Sequence, residues 1–210
     1  MRKFTTIILL CITFWGNTGQ VRAQNLDIDV LRSVYTPHPS AVSVFISNTT
    51  SYVGMSVPVV MGVVALIENN DSLLKSAVYV GAALTVDLAL TYSLKQIVGR
   101  PRPYITYPDI VPGEYQSSMS FPSGHTSFAF ASATALSLSF PKWYVIVPSY
   151  AWACSVGYSR MNLGVHYPSD VLAGALLGAG SAYITYEVNK WFWTKTGNKK
   201  ILLDKKISQL

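Results

Sequence analysis

Five apolar stretches, at residues 53–67, 74–94, 127–140, 144–158 and 171–186, constrain this chain more than any other feature. Such a series folds as an all-α bundle of membrane-spanning helices, because lipid offers no partner for open backbone groups and a helix satisfies its own. Several stretches fall short of the roughly 20 residues a span needs, so the polar residues at their ends are expected to continue the helices. Gly174, Gly178 and Gly180 suit close helix packing in lipid, while Trp143, Tyr144, Trp191 and Trp193 fall at segment ends, where amphipathic rings favour the interface. Only 12% of the residues are charged, against roughly 25% in ordinary soluble domains. The two cysteines, Cys11 and Cys154, supply neither a disulfide framework nor a zinc cluster.

The flanks divide the chain further. Residues 1–23 read as a secretory signal peptide or a first membrane helix: Met1, Arg2 and Lys3 precede an apolar run, and Val21-Arg22-Ala23 offers cleavage spacing before Gln24. Residues 24–52, with Pro37 and Pro39 and a weakly amphipathic run at 26–35, read as an extramembrane or interfacial arm. Residues 53–188 form the membrane domain and 189–210 a basic tail. A net charge of +6 does not point to nucleic acid here, because Lys190, Lys195, Lys199, Lys200, Lys205 and Lys206 gather in that tail. Lysines after an apolar segment mark the cytoplasmic side. Counting back five spans puts 95–125 and 159–170 together on the opposite, outer face, with the arm.

Those outer segments carry the chemistry. In the first, Gly99 ends a helix and Pro101 and Pro103 prevent its continuation, leaving Lys95 in the last turn with Arg100 and Arg102 in a rigid loop. Arginine grips phosphate oxygens with a two-pronged fork and lysine acts as a point charge; the same residues also fit a plain positive membrane flank. In the second, Pro122-Ser123-Gly124-His125 opens a helix, with Ser123 able to cap and Gly124 able to bring backbone N–H groups close to an anion. His125 has the ordinary affinity for a general acid at neutral pH, although an ordinary capped turn fits as well. The third runs from Ser159-Arg160 to His166 and Asp170. A carboxylate four residues beyond a histidine can orient the imidazole for attack on phosphorus; a loop histidine paired with a capping aspartate is the plainer alternative.

His38, in Thr-Pro-His-Pro, reads as a surface turn residue. Asp87, inside the second apolar stretch, is a functional candidate by its depth but reads as a hydrogen-bonded interior residue. Carboxylates near the three segments are few (Asp109, Glu114, Asp170), which favours chemistry without a metal ion.

The combined pattern resembles the type 2 phosphatidic acid phosphatase superfamily, whose signature is K-x6-R-P, P-S-G-H and S-R-x5-H-x3-D. Here it reads Lys95 to Arg102-Pro103, Pro122 to His125, and Ser159-Arg160 to His166 and Asp170, with every position in order and at the family spacing. Arg100 also precedes a proline, but its distance from Lys95 does not fit. The resemblance implies an all-α bundle of the PAP2/haloperoxidase type, here embedded in a membrane with five to six spans. The apolar segments and the basic tail argue against the vanadium haloperoxidases, which share the signature and hold vanadate in the same pocket. It implies His166 as nucleophile, Asp170 as its orienting carboxylate and His125 as the acid. Lys95, Arg102, Ser123, Gly124 and Arg160 would hold the phosphoryl oxygens, and no cofactor or metal would be required.

The expected protein is a phosphatase of a bacterial inner membrane, its site facing the periplasm. Its substrate would be a phosphorylated lipid: lipid A or undecaprenyl diphosphate in preference to phosphatidylglycerol phosphate or phosphatidic acid. A secreted acid phosphatase of the same superfamily and a non-catalytic lipid-binding protein are the alternatives. Activity should need His166 neutral and His125 protonated, giving a bell-shaped profile between about pH 5 and 8.

Overall fold

The computed structural model describes residues 19–207, with side chains from 26 to 192. Most of the expected leader, at 1–18, and the side chains of the basic tail beyond 192 lie outside the described residues. Every regular element among the described residues is helical: α1 (Gly19–Val34), α2 (Ala41–Ile67), α3 (Asp71–Val98), the single turn α4 (Pro103–Thr106), α5 (Gly124–Ser139), α6 (Trp143–Asn162) and α7 (Pro168–Ile207).

Local signals set the helix ends. Ser40 caps α2 by accepting from the Ser43 N–H at 3.1 Å. Asn70 caps α3 through Leu73 N–H at 3.0 Å. Gly99 closes α3 in the left-handed region, at φ 60°, where a side chain would be strained. Pro58 and Pro148 lie inside α2 and α6, as membrane helices allow when neighbours satisfy the freed carbonyls.

The first membrane helix starts earlier than expected. Residues 41–52, read from sequence as the end of the arm, continue directly into α2. Their polarity misled because it faces inward: Ser43, Ser47 and Thr50 are buried. Conversely, large apolar side chains face outward, including Val59, Ile67, Leu88, Val147, Leu172 and Ile184. That inside-out distribution is what a helix bundle in lipid requires.

Three helices are long and apolar enough to cross a membrane among the described residues: Ala41–Ile67, the one beginning at Asp71, and Pro168–Phe192, with hydropathies of 1.8, 1.6 and 1.3. The expected spans at 127–140 and 144–158 correspond to α5 and α6, which are shorter or more polar. For α5 the cause is its place at the bundle centre, where it packs against α2, α3, α6 and α7. Small residues allow this crowding. Ala131, Ala135, Ala83 and Ala182 pack in one buried cluster, and Ala129, Ala133 and Ala153 in another. A Cβ on Gly174 would sit 2.6 Å from the Ser123 carbonyl oxygen, and one on Gly178 would collide with the Ser127 carbonyl.

Outside the bundle, α1 lies across one end. Ile28 and Leu31, one turn apart on its apolar face, bury against Ile110 and Tyr167. Arg32 pairs with Asp109 at 3.0 Å, tying this arm to the loop between α4 and α5.

Candidate active site

All three signature segments converge at the end of the bundle that α1 covers. The C-terminal ends of α3 and α6 meet there with the N-terminal ends of α5 and α7, so loops far apart in sequence supply one cluster.

Lys95 stands in the last turn of α3, where Gly99 N–H donates to its carbonyl at 3.1 Å. Its Nζ reaches over the loop to donate to the Met119 carbonyl at 2.5 Å. Arg102, just ahead of Pro103, is almost fully buried and uses its fork as a strap. Nε donates to the Ser118 carbonyl at 2.8 Å, Nη1 to the Val165 carbonyl at 2.8 Å and Nη2 to Ser118 Oγ at 3.1 Å. Nη1 also lies 3.2 Å from Nε2 of His166.

His166 sits in the turn between α6 and α7, 1% exposed. That turn needs Gly164, at φ 68°, where an added Cβ would press on Ile110 at 2.8 Å and the Tyr35 ring at 3.0 Å. On the other side of the ring, Nδ1 faces Asp170 Oδ2 at 3.4 Å. The same oxygen accepts from Tyr167 N–H at 3.0 Å and from Ser120 Oγ at 2.5 Å. Asp170 is therefore a buried carboxylate in the first turn of α7 that caps its own helix and holds the imidazole of His166, which lies just before that helix begins at Pro168.

At the head of α5, Ser123 occupies the capping position without making the cap. Its hydroxyl pairs with Thr126 Oγ1 at 2.9 Å, and its N–H donates to the Asp170 carbonyl at 3.0 Å. The expectation of a side-chain cap at Ser123 is corrected: first-turn N–H groups beyond it carry no such partner, and a helix leaves them for water or an anion. Arg160, in the last turn of α6, is fully buried. Its Nη1 donates to Ser47 Oγ and faces Glu114 Oε2 at 3.4 Å, while Nε and Nη2 have no partner among the described residues. A buried guanidinium with two unmatched donors is costly unless an anion meets it.

A cavity of about 370 Å³ opens beside these groups. Lys95, Arg102, Gly124, His125 and His166 form its polar wall; Met55, Leu88, Tyr92 and Phe128 form an apolar one reaching down between α2 and α3. The shape suits a charged head with an apolar remainder.

His125 and His166 lie outside the apolar spans, in the first turn of α5 and in the α6–α7 turn. Both are pushed down from the ordinary histidine value to about 3. Burial is the main cause for each. For His125, the Arg160, Arg102 and Lys95 charges add to it. For His166, Asp170 pulls upward and the two arginines push down. Both shifts favour the neutral form of these two rings.

The structure thus brings together Lys95, Arg102, Ser123, Gly124, His125, Arg160, His166 and Asp170. His38 is exposed in its turn, apart from them. Asp87 is an interior residue, its Oδ1 accepting from Ser127 Oγ at 2.5 Å and Ser181 Oγ at 3.4 Å. Sequence reasoning did not find Ser47, Ser118 or Ser120, because nothing in their local sequence separates them from other loop and helix serines.

Comparison with known proteins assigns the chain to a family. The family model described as PAP2 superfamily matches residues 76–194. A lipid A 4'-phosphatase of Bacteroides thetaiotaomicron is 33% identical over 118 residues, covering 51% of this chain and 52% of that protein. An undecaprenyl-diphosphatase of Sulfolobus acidocaldarius is 31% identical over 114 residues, covering 52% and 55%. The chain therefore matches about half the length of these curated relatives. The crystal structure of Aquifex aeolicus LpxE superposes with a TM-score of 0.64 at 28% identity, covering 77% of this chain and 95% of that one. With a family match across more than half its length, on a helical bundle with membrane-spanning segments, the chain is a membrane protein that belongs to the PAP2 superfamily.

Proposed function

We propose that this protein is a membrane lipid phosphatase that removes a phosphate from an envelope lipid through a phosphohistidine on His166. The observation that carries the reading is the setting of that ring: Asp170 on Nδ1, a guanidinium on Nε2, and a cationic cavity in front. Lipid A and undecaprenyl diphosphate are the favoured substrates, supported by the names of the two relatives above. The site faces the periplasm from the inner membrane, a reading supported by the lysine-rich tail at the other end of the span count. The apolar side chains around the bundle disfavour a secreted soluble phosphatase.

The chemistry uses the chain's own residues. The substrate phosphoryl group lies among Lys95, Arg102 and Arg160 and over the α5 N-terminus with Ser123 and Gly124, where preorganised donors offset the charge that grows on its oxygens. Its dianion raises the proton affinity of His125. His166 Nε2 then attacks phosphorus as the bond to the lipid oxygen breaks, and His125 gives that oxygen its proton. Asp170 accepts from Nδ1–H throughout and stabilises the charged ring. In the second half, His125 takes a proton from water, the oxygen attacks phosphorus, the P–N bond breaks, and inorganic phosphate leaves.

Phosphate release by the purified protein from lipid A, undecaprenyl diphosphate, phosphatidylglycerol phosphate and phosphatidic acid, each with chelator present, tests this. Release from at least one, abolished in both His166→Ala and His125→Ala, is expected. Retained release in either variant, or loss on chelation, overturns the assignment.

A further inference from the structure

Arg100 was set aside by the signature because its spacing from Lys95 is wrong, yet it makes the best-formed ion pairs at this end of the bundle. Its Nη1 donates to Asp170 Oδ1 at 2.8 Å and to Ser169 Oγ at 2.7 Å. Its Nη2 donates to Asp27 Oδ2, on the arm helix α1, at 2.7 Å. The guanidinium carbon lies 3.8 Å from the centre of the Tyr167 ring, so the fork is fixed from its face as well as its edge.

Asp170 divides its two oxygens between separate tasks. Oδ2 takes Ser120 Oγ, Tyr167 N–H and His166 Nδ1; Oδ1 has Arg100 as its partner among the described residues. With no water-exposed surface, the carboxylate depends on Arg100 for its countercharge and for the rotation that aims Oδ2 at the imidazole. Asp27 fixes Arg100 in turn. It also accepts Ser169 N–H at 2.9 Å and Ser169 Oγ at 2.5 Å, so it caps α7, the helix that carries Asp170, from another element. Ile28 and Leu31 pack next to it and hold α1 against Tyr167.

We propose that Arg100, and through it Asp27 of the arm helix, are positioning residues that hold Asp170 in line with His166. The inference rests on the reading of His166 as nucleophile. The arm is then part of the catalytic framework, continuous with the nucleophile through Asp27, Arg100 and Asp170. Moving α1 off this end would take Asp27 from Arg100 and so slacken the imidazole.

The test uses the full-length chain and whichever of the four lipids above the wild type hydrolyses fastest, with melting temperature followed for every variant. Arg100→Ala is expected to lower kcat about 100-fold or more with KM changed less than about threefold, because misaiming of this kind costs the chemical step and not binding. Arg100→Lys, which keeps one charge but not the fork, should recover about tenfold of that loss, and Asp27→Ala should cost about tenfold in kcat. Since both act along one line, Asp27→Ala combined with Arg100→Ala should be no worse than Arg100→Ala alone. Arg100→Ala with kcat within about threefold of wild type, a loss confined to KM, or additive effects in the double variant would each overturn the proposal. If Arg100→Ala fails to fold, Arg100→Lys and Asp27→Asn decide it: unchanged kcat in both refutes it, and reduced kcat with unchanged KM and melting supports it. Activity retained in His166→Ala would sink the underlying reading, whereas an inactive His166→Ala beside a fully active Arg100→Ala overturns this inference alone.

Discussion

Arg102 Nη1 lies 3.2 Å from Nε2 of His166, on the edge of the ring opposite Asp170. Arginine only donates, so Nε2 must present its lone pair and the ring proton must sit on Nδ1, toward the carboxylate. Neighbours of fixed character thereby select the tautomer that a nucleophilic Nε2 needs. On the proposed mechanism the same guanidinium marks where a phosphoryl oxygen would lie, next to the atom that would attack phosphorus.

The covalent step gives the most direct expectation. Brief reaction with a ³²P-labelled lipid followed by denaturation should leave label on the chain that acid releases and alkali does not, the behaviour of a phosphorus–nitrogen bond, and His166→Ala should abolish it. Asp170→Asn can donate where a carboxylate accepts and so favours the wrong tautomer; by analogy with the aspartate of serine proteases, kcat should fall roughly 10³ to 10⁴-fold. A loss below tenfold would remove Asp170 from its orienting role.

Acid behaviour departs from what ordinary histidines would give. Burial first, then the clustered cations, lower both His125 and His166 to about 3. Selectively labelled ring resonances of these two residues should hold still as pH falls from 8 to about 5, in contrast with free histidine near 6.5; a midpoint near 6.5 for His166 would contradict the structure. Both limbs of the bell expected from sequence therefore move down in the free enzyme. On the proposed mechanism it is the rise in the proton affinity of His125 when the phosphoryl dianion binds that carries activity back toward neutral pH. Stability follows the same sign. A histidine whose folded value lies below its unfolded one contributes fully above about 6.5, and the contribution is lost as pH falls from there toward 3. Melting temperature in detergent should drop through that window, and less steeply in His166→Gln.

Close packing of α7 on α5 makes a second structural expectation. Gly174 faces the carbonyl of Ser123, and Gly178 that of Ser127. Neither atom is the flexible end of a side chain, so an added methyl must push the helices apart at the turn that presents Gly124 and His125. Gly178→Ala should lower stability by about 1–3 kcal/mol, and Gly174→Ala should lose activity out of proportion to stability. Gly180, with nothing within 4 Å, should tolerate alanine and serves as the control.

Much of the site could be read from the chain because a signature is a list of helix ends. Gly99, Pro101, Gly124 and Pro168 say where helices stop and start, and the chemical residues stand beside them. What could not be read is whatever joins the ends to distant elements. Ser47 reaches Arg160 from a helix more than a hundred residues earlier in the chain, and Asp27 reaches Arg100 from the arm; neither has a local pattern that distinguishes it. The start of α2 was misplaced for a related reason. Ser43, Ser47 and Thr50 dilute the apolar signal of 41–52, because polar residues buried inside a bundle look, in sequence, like residues that face water. Helix α5 is the same case at the centre of the bundle, where serine and alanine permit contact that larger apolar residues would block.

Arg102 offers the sharpest separation of charge from shape. Its fork makes bonds to Ser118 on one side and to Val165 and His166 on the other, tying the α4–α5 loop to the turn that carries His166. A lysine in its place would keep the positive charge beside the phosphoryl group and lose every second prong. If charge alone mattered, Arg102→Lys would cost little. Because the strap also fixes where His166 stands, the variant should lose about 100-fold in kcat, and its loop at 104–121 should become more open to limited proteolysis than in the wild type. Inorganic phosphate, a ligand for the same cluster of cations on the proposed mechanism, should add to the protection of the loop in the wild type but little in the variant. Equal protease sensitivity of the two proteins, with kcat intact, would reduce Arg102 to a point charge.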